Sequence, residues 1–182
     1  VHGHCVVRAR PQPGQAVGSV FMPIHWNDCF ASKARVGALA PSRVDPHSGQ
    51  PAFKQIPVKL RAVNVQWHAL LIARATLPLP ENQYWSRRQM GDWQVVTLAG
   101  TEPVSMNTCR TLGGEHVTAW TEVEDDDGEH LRLLGTGENG AQLWFAKAPQ
   151  PPQIDESWLL DALLADDAAA TAMSVPALLL GI

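Results

Sequence analysis

Two hairpin signals in succession constrain this chain more than any other feature. His116 to Glu124 alternates apolar and polar residues as a half-buried strand does. Asp126-Asp127-Gly128 then supplies a turn into Glu129 to Leu134, and Glu138-Asn139-Gly140 a second turn into Ala141 to Ala146. Connections this short join antiparallel strands only, so the region reads as three consecutive antiparallel strands. Ahead of it, Trp93 to Leu98 reads as another strand, and Ser105 to Leu112 as a short helix with Ser105 as N-cap and Gly113-Gly114 at its end. Trp67 to Arg74 fits strand or helix alike because its β-branched content is low, and Tyr84 to Met90 reads as helical or irregular. Together these elements predict a small antiparallel α+β domain over 64–148.

The segments on either side have a different texture. Pro149 to Gln153 reads as a linker. Asp155 caps an amphipathic helix running to Ala165, with Trp158, Leu159, Ala162 and Leu163 on one face. Pro176 to Gly181 resembles the start of a further short helix, so 149–182 is a linker and helical tail. Before Asn64, His4 to Arg10, Val17 to Ile24 and Ile56 to Val63 read as strands, the last alternating Val58, Leu60 and Ala62 with Lys59 and Arg61. Pro11 to Gln15 is a turn between the first two. A long loop separates the second from the third, and long loops with little structure of their own are often functional. Three such strands do not make a stable domain alone, so their partners are expected upstream of Val1. The chain opens directly on a strand pattern with no initiator methionine, and is expected to be cut from a longer protein.

Composition narrows the function classes. Hydrophobic residues at 45% and charged residues at 18% are those of a globular protein with a core. A net charge of −4 argues against a nucleic-acid partner, which needs a basic face. Cys5, Cys29 and Cys109 are odd in number, far apart and without metal-ligand spacing, which points to a reducing cytoplasm. The apolar run Val175 to Ile182 is too short to span a membrane, and none is expected as a partner.

Several residues are candidates for chemistry. His2 and His4 share one face of a strand, as in some metal sites, but no acidic or cysteine ligand lies at a suitable spacing, so a structural role is favoured and no metal ligand is assigned. His25 follows a strand beside Trp26, Asn27 and Asp28; a lone histidine there is more often a hydrogen-bonded structural residue than an acid or base. Asp28, Cys29 and Lys33 form no nucleophile–base–orienter set. Asp45-Pro46-His47-Ser48-Gly49-Gln50-Pro51 is rich in turn formers that would aim backbone N–H groups outward, and with Lys54 beyond it the stretch suits an anionic ligand. No Walker loop or G-x-G-x-x-G fingerprint supports an ordinary nucleotide site. The acidic run Glu122 to Asp127 lacks the calcium-loop pattern and reads as a solvated turn.

Taken together, V-V-R-A-R, G-x-V-F-M-P-I-H-W and A-L-A-P-x-x-V-D-P-x-S-G-Q-P-x-F-K resemble the last third of the molybdopterin-dinucleotide-binding domain of prokaryotic molybdenum oxidoreductases. The H-W and D-P-H-S-G-Q-P wording is most similar to cytoplasmic assimilatory nitrate reductases. The match covers residues 1 to about 63, with a weaker Y-W…G-x-W…L-A-G likeness beyond. The resemblance implies a partial double-psi β-barrel over 1–63, incomplete at its N-terminus, that clamps molybdopterin guanine dinucleotide with domains upstream in the same polypeptide. It implies that Lys54, His25, Trp26 and Gln50 contact the cofactor and that Ile24 lines the substrate funnel. Where the family often reads N-A-L-T, this chain has Gly37-Ala38-Leu39-Ala40, so an asparagine contact is lost or replaced. Molybdenum ligands and iron–sulfur cysteines are implied to lie outside this chain, which then holds no catalytic residue and is inactive alone.

The function so implied is nitrate reduction to nitrite, a two-electron step in the intact cytoplasmic enzyme, in nitrate assimilation. Two alternatives stay open: the corresponding part of a formate dehydrogenase, or a non-catalytic docking domain for an electron-donor partner.

Overall fold

The computed structural model describes residues 3–79, 83–102, 106–152 and 154–164. The chain divides into two compact units, Val1–Val63 and Asn64–Ile182.

In the second unit the elements run β1 (Trp67–Ala73), β2 (Tyr84–Met90), β3 (Trp93–Gly100), α1 (Met106–Gly113), a 3-10 turn (Gly114–His116), β4 (Ala119–Glu124), β5 (Leu131–Gly137), β6 (Gly140–Ala148) and α2 (Glu156–Leu164). The strands form one antiparallel sheet in the order β2-β3-β1-β6-β5-β4. The meander expected from the two hairpin signals is the β4-β5-β6 half. Gly128 and Gly140 sit in its turns at φ 70° and 78°, left-handed values that cost glycine little. The β4–β5 turn is further tied by Asp125, whose carboxylate accepts from His130 N at 2.9 Å and faces His130 Nδ1 at 2.6 Å. Lys147 Nζ donates to Gly128 O at 2.7 Å.

Both faces of this sheet are apolar, and alternate residues divide between them. Ala69, Leu71, Val96, Leu98, Leu133 and Phe145 share one face. Leu70, Ile72, Val95, Leu134 and Trp144 share the other, where Leu159, Leu160 and Leu163 of α2 cover them. A central strand covered on both sides loses its alternation, which is why Trp67 to Arg74 reads ambiguously as sequence. Each large side chain buried there contributes about 1.5–3 kcal/mol. Asp155 caps α2 as expected, its Oδ1 accepting from Ser157 N at 3.0 Å and Trp158 N at 3.2 Å.

Register places glycine opposite tryptophan twice: Trp67 against Gly100 and Trp120 against Gly135. A Cβ on Gly100 would lie 2.5 Å from Trp67 Cζ2, and one on Gly135 2.8 Å from Val117 Cγ1 and 3.1 Å from Trp120 Cζ3. The rings occupy the space the glycines leave, so these bare backbone positions are packed rather than void.

Tyr84 to Met90 is a strand, not the helical or irregular segment expected from sequence. Pairing with β3 along its whole length overrides its weak local preference. The Arg87 guanidinium lies 5.4 Å from the Trp85 ring centre two residues away, the spacing of one strand face. Arg88 forms an ion pair with Glu156 at the start of α2. β4 begins three residues after His116, because a 3-10 turn takes up the start of the expected strand. Helix α1 falls where expected; its proposed cap, Ser105, lies outside the described residues, as do His2, Gln153 and the tail segment 176–181. No helix among the described residues is long and apolar enough to cross a membrane.

The first unit differs more from expectation. None of the strands expected at 4–10, 17–24 and 56–63 is present among the described residues, which hold instead a 3-10 helix, Val36–Leu39, and an isolated bridge between Val44 and Pro51. An extended segment becomes a strand only when a neighbour takes its backbone groups. Here Val6 N finds a single partner, Lys33 O at 2.8 Å. Val17 and Gly18 form a turn, with Ser19 N donating to Ala16 O at 3.1 Å and Gly18 at φ 79°. Pro57 removes a donor from the third segment. The turn at Pro11 to Gln15 is present, closed by Gln15 N to Gln12 O at 3.0 Å.

Candidate functional site

The stretch carrying Gln50 and Lys54 is a closed hairpin rather than an open loop. Val44 bridges Pro51, Asp45 N donates to Gln50 O at 2.9 Å, and Ala52 N donates to Arg43 O at 3.1 Å. Inside it, Asp45 Oδ1 accepts from His47 N at 3.1 Å, Ser48 N at 2.7 Å and Ser48 Oγ at 2.9 Å. Gly49 N donates to Asp45 O at 2.9 Å and Gln50 N to Ser48 Oγ at 3.3 Å. The amides of residues 47–50 are thus spent within the turn, and the expectation that they face outward toward an anion is corrected. The signal was present in the sequence: an aspartate followed at two and three residues by free N–H groups closes an Asx turn on itself. Donation from the Ser48 amide, then the Ser48 hydroxyl and the His47 amide, holds the Asp45 carboxyl below the usual carboxylate range.

What this hairpin leaves for a ligand is side chains. Gln50 and Lys54 are exposed, and neither side chain has a hydrogen bond or ion pair among the described residues. Gln55, next to Lys54, holds φ 57°, an uncommon value for a non-glycine residue that turns the chain there. Lys33 is the other such residue, at φ 52°. Sequence pattern gave no sign of either.

His25 and Trp26 lie on a separate turn, closed by Trp26 N to Pro23 O at 3.3 Å. Ile24 in that turn is 56% exposed. The Trp26 ring stacks on Phe30 with centroids 6.0 Å apart. Asn27 braces the next turn, its Oδ1 accepting from Cys29 N at 2.9 Å, and Asp28 pairs with Arg35. No hydrogen bond, ion pair or ring contact among the described residues joins the His25–Trp26 turn to the hairpin of Gln50 and Lys54.

Two properties of the first unit bear on what it binds. Residues 1–63 carry eight Lys and Arg against two Asp and Glu, a net of +6, whereas 64–182 carry six against sixteen, a net of −10. The overall charge hides this segregation. The first unit also buries little: its buried side chains among the described residues are Ala31, Ser32 and Ala34, while Phe21 is 80% and Leu60 73% exposed. Apolar exposure on that scale marks a surface meant to be covered.

The second unit offers weaker candidates. A cleft of about 210 Å³ is lined by Glu115, His116, Thr118, Glu138, Asn139 and Gln142, whose carboxylates disfavour an anion. The acidic run is engaged structurally, Glu122 with Arg110 and Asp125 with His130. Neither Cys5 nor Cys29 forms a disulfide among the described residues, and burial pushes the Cys5 thiol up, away from nucleophilic use. No group of three or more metal-ligating side chains is found among the described residues.

Residues 1–57 match a family model described as "Molydopterin dinucleotide binding domain". Over 161 residues the chain is 32% identical to a protein named "Nitrate reductase" from Klebsiella oxytoca, a match that covers 86% of this chain and 18% of that protein. The chain therefore spans about a fifth of the length of the curated relative it matches. No solved structure matches it.

Proposed function

We propose that this chain, whose residues 1–57 match the molybdopterin-dinucleotide-binding domain model, is the C-terminal, cofactor-binding part of a molybdenum-dependent nitrate reductase. In the intact protein it forms one wall of the site for molybdopterin guanine dinucleotide, within a double-psi barrel whose other strands come from elsewhere in the same polypeptide. The observation that carries this reading is the first unit itself, with a charge of +6, extended segments that form no strand ladder among the described residues, and exposed Phe21 and Leu60. A pyrophosphate-linked dinucleotide needs positive charge, and an incomplete barrel leaves apolar residues uncovered.

The exposed side chains fit such a group in kind. Lys54 would offer an ammonium to a phosphate oxygen, Gln50 an amide donor and acceptor, and His25 and Trp26 a ring nitrogen and a flat apolar face. Ile24 lines the approach of the substrate. When bound, the cofactor supplies the two-electron redox chemistry, while these residues hold and orient it and keep water from its edge. The likeness to a nitrate reductase supports nitrate as the oxidant, reduced to nitrite.

Lys54→Ala in the full-length protein tests the reading. Losing one charge-assisted contact to phosphate is expected to lower molybdenum and pterin occupancy about tenfold under limiting cofactor. Unchanged occupancy removes Lys54 from the site.

A further inference from the structure

Nothing in the resemblance assigns a role to Asp45, yet the turn that carries Gln50 toward Lys54 is organised around it. Its carboxylate takes three hydrogen bonds, from His47 N, Ser48 N and Ser48 Oγ, all between 2.7 and 3.1 Å. Its own amide and carbonyl close the same ring, on Gln50 O and Gly49 N, each at 2.9 Å. Five bonds thus converge on one exposed residue. Beyond the ring, the Val44–Pro51 bridge and the Ala52 N to Arg43 O bond zip the returning arm, which delivers Lys54 two residues later. The left-handed Gln55 then ends the arm. A free loop would have to order Gln50 and Lys54 when the ligand arrives, and that ordering costs affinity.

We propose that Asp45 is a positioning residue for the dinucleotide: by closing the 45–50 turn it presets the Gln50 and Lys54 side chains for the pyrophosphate, without touching the ligand. The proposal rests on the cofactor-site reading above. It differs from a phosphate cradle of backbone amides, because the amides of 47–49 point at Asp45 and that of Gln50 at Ser48 Oγ, which leaves anion binding to the side chains.

The test is a double-mutant cycle in the full-length protein, reading the rate at which pterin dinucleotide is lost from loaded enzyme. Asp45→Ala should speed loss about tenfold, the weight of one charge-assisted contact made through Lys54. Asp45→Asn, which keeps the Oδ1 acceptor, should stay within about twofold of the parent, since neutral acceptors retain most of such bonds. Combined with Lys54→Ala, Asp45→Ala should add clearly less than its effect alone, because part of that effect acts through the lysine and only the part acting through Gln50 remains. A general loss of fold would instead add to the Lys54 effect and lower the melting temperature of the whole protein. Unchanged retention in Asp45→Ala, or fully additive losses, overturns the role of Asp45 while leaving the cofactor site intact. A full-length protein that carries no pterin dinucleotide overturns the site reading, and this role with it.

Discussion

Asp45 is exposed, and its carboxyl is nevertheless held below the usual carboxylate range by the Ser48 amide, the Ser48 hydroxyl and the His47 amide. A carboxylate with a lowered folded pKa stabilises its turn above its ordinary value near about 3.9, and that contribution disappears as pH falls through the lowered value. Hydrogen exchange at the Ser48 amide is therefore expected to stay protected at neutral pH and to lose protection, beyond the intrinsic pH trend, in the acid range below about pH 4. Protection that does not change through that range would detach the turn from the Asp45 charge. The residue scale is also where sequence reading went furthest and then misplaced one detail. D-P-H-S-G-Q-P is plainly a turn, and Lys54 beyond it plainly a cation. Which way the amides point depended on counting Asp45 as an acceptor within its own turn, and the left-handed Lys33 and Gln55 leave no mark in residue type at all.

Among the elements, the strands that were legible are those with a solvated face or a turn signal at each end. β4, β5 and β6 follow from alternation and from glycines in the two turns. β1 was ambiguous because α2 covers one side of the sheet and a second apolar layer the other, so its pattern is continuous. β2 was missed because an edge strand with two arginines owes its form to β3 rather than to its own composition. The pairing of Trp67 with Gly100 gives the sheet a point of little tolerance. Gly100→Ala would place a methyl 2.5 Å from Trp67 Cζ2, displacing a ring whose Nε1 also donates to Glu102 O at 2.6 Å. Overpacking of this kind costs about 1–3 kcal/mol, read as a lower melting temperature of the second unit. An unchanged melting temperature would show that the ring yields freely. Gly37 is the contrast: nothing lies within 4 Å of a Cβ built there and its φ is ordinary, so the departure from the family's asparagine is not forced by packing.

For the whole molecule, the composition averaged away what matters. A net charge of −4 is the sum of a basic first unit and an acidic second one, and only the boundary at Val63 separates them. The first unit was the harder to foresee, since strands expected on pattern alone have no ladder among the described residues, while the second unit is built on local hairpins and carries its own core. Extended segments, exposed apolar side chains and excess positive charge in one unit are what an incomplete wall around an anionic cofactor requires. On the proposed function, this chain binds the dinucleotide only as part of a longer protein. The most direct measurement compares the full-length protein with the isolated 182-residue chain for bound molybdenum and pterin, and for nitrate reduction with reduced viologen. The full-length protein should carry both and reduce nitrate, and the isolated chain should do neither. Nitrate turnover by the isolated chain, or a full-length protein without molybdenum, would contradict the account.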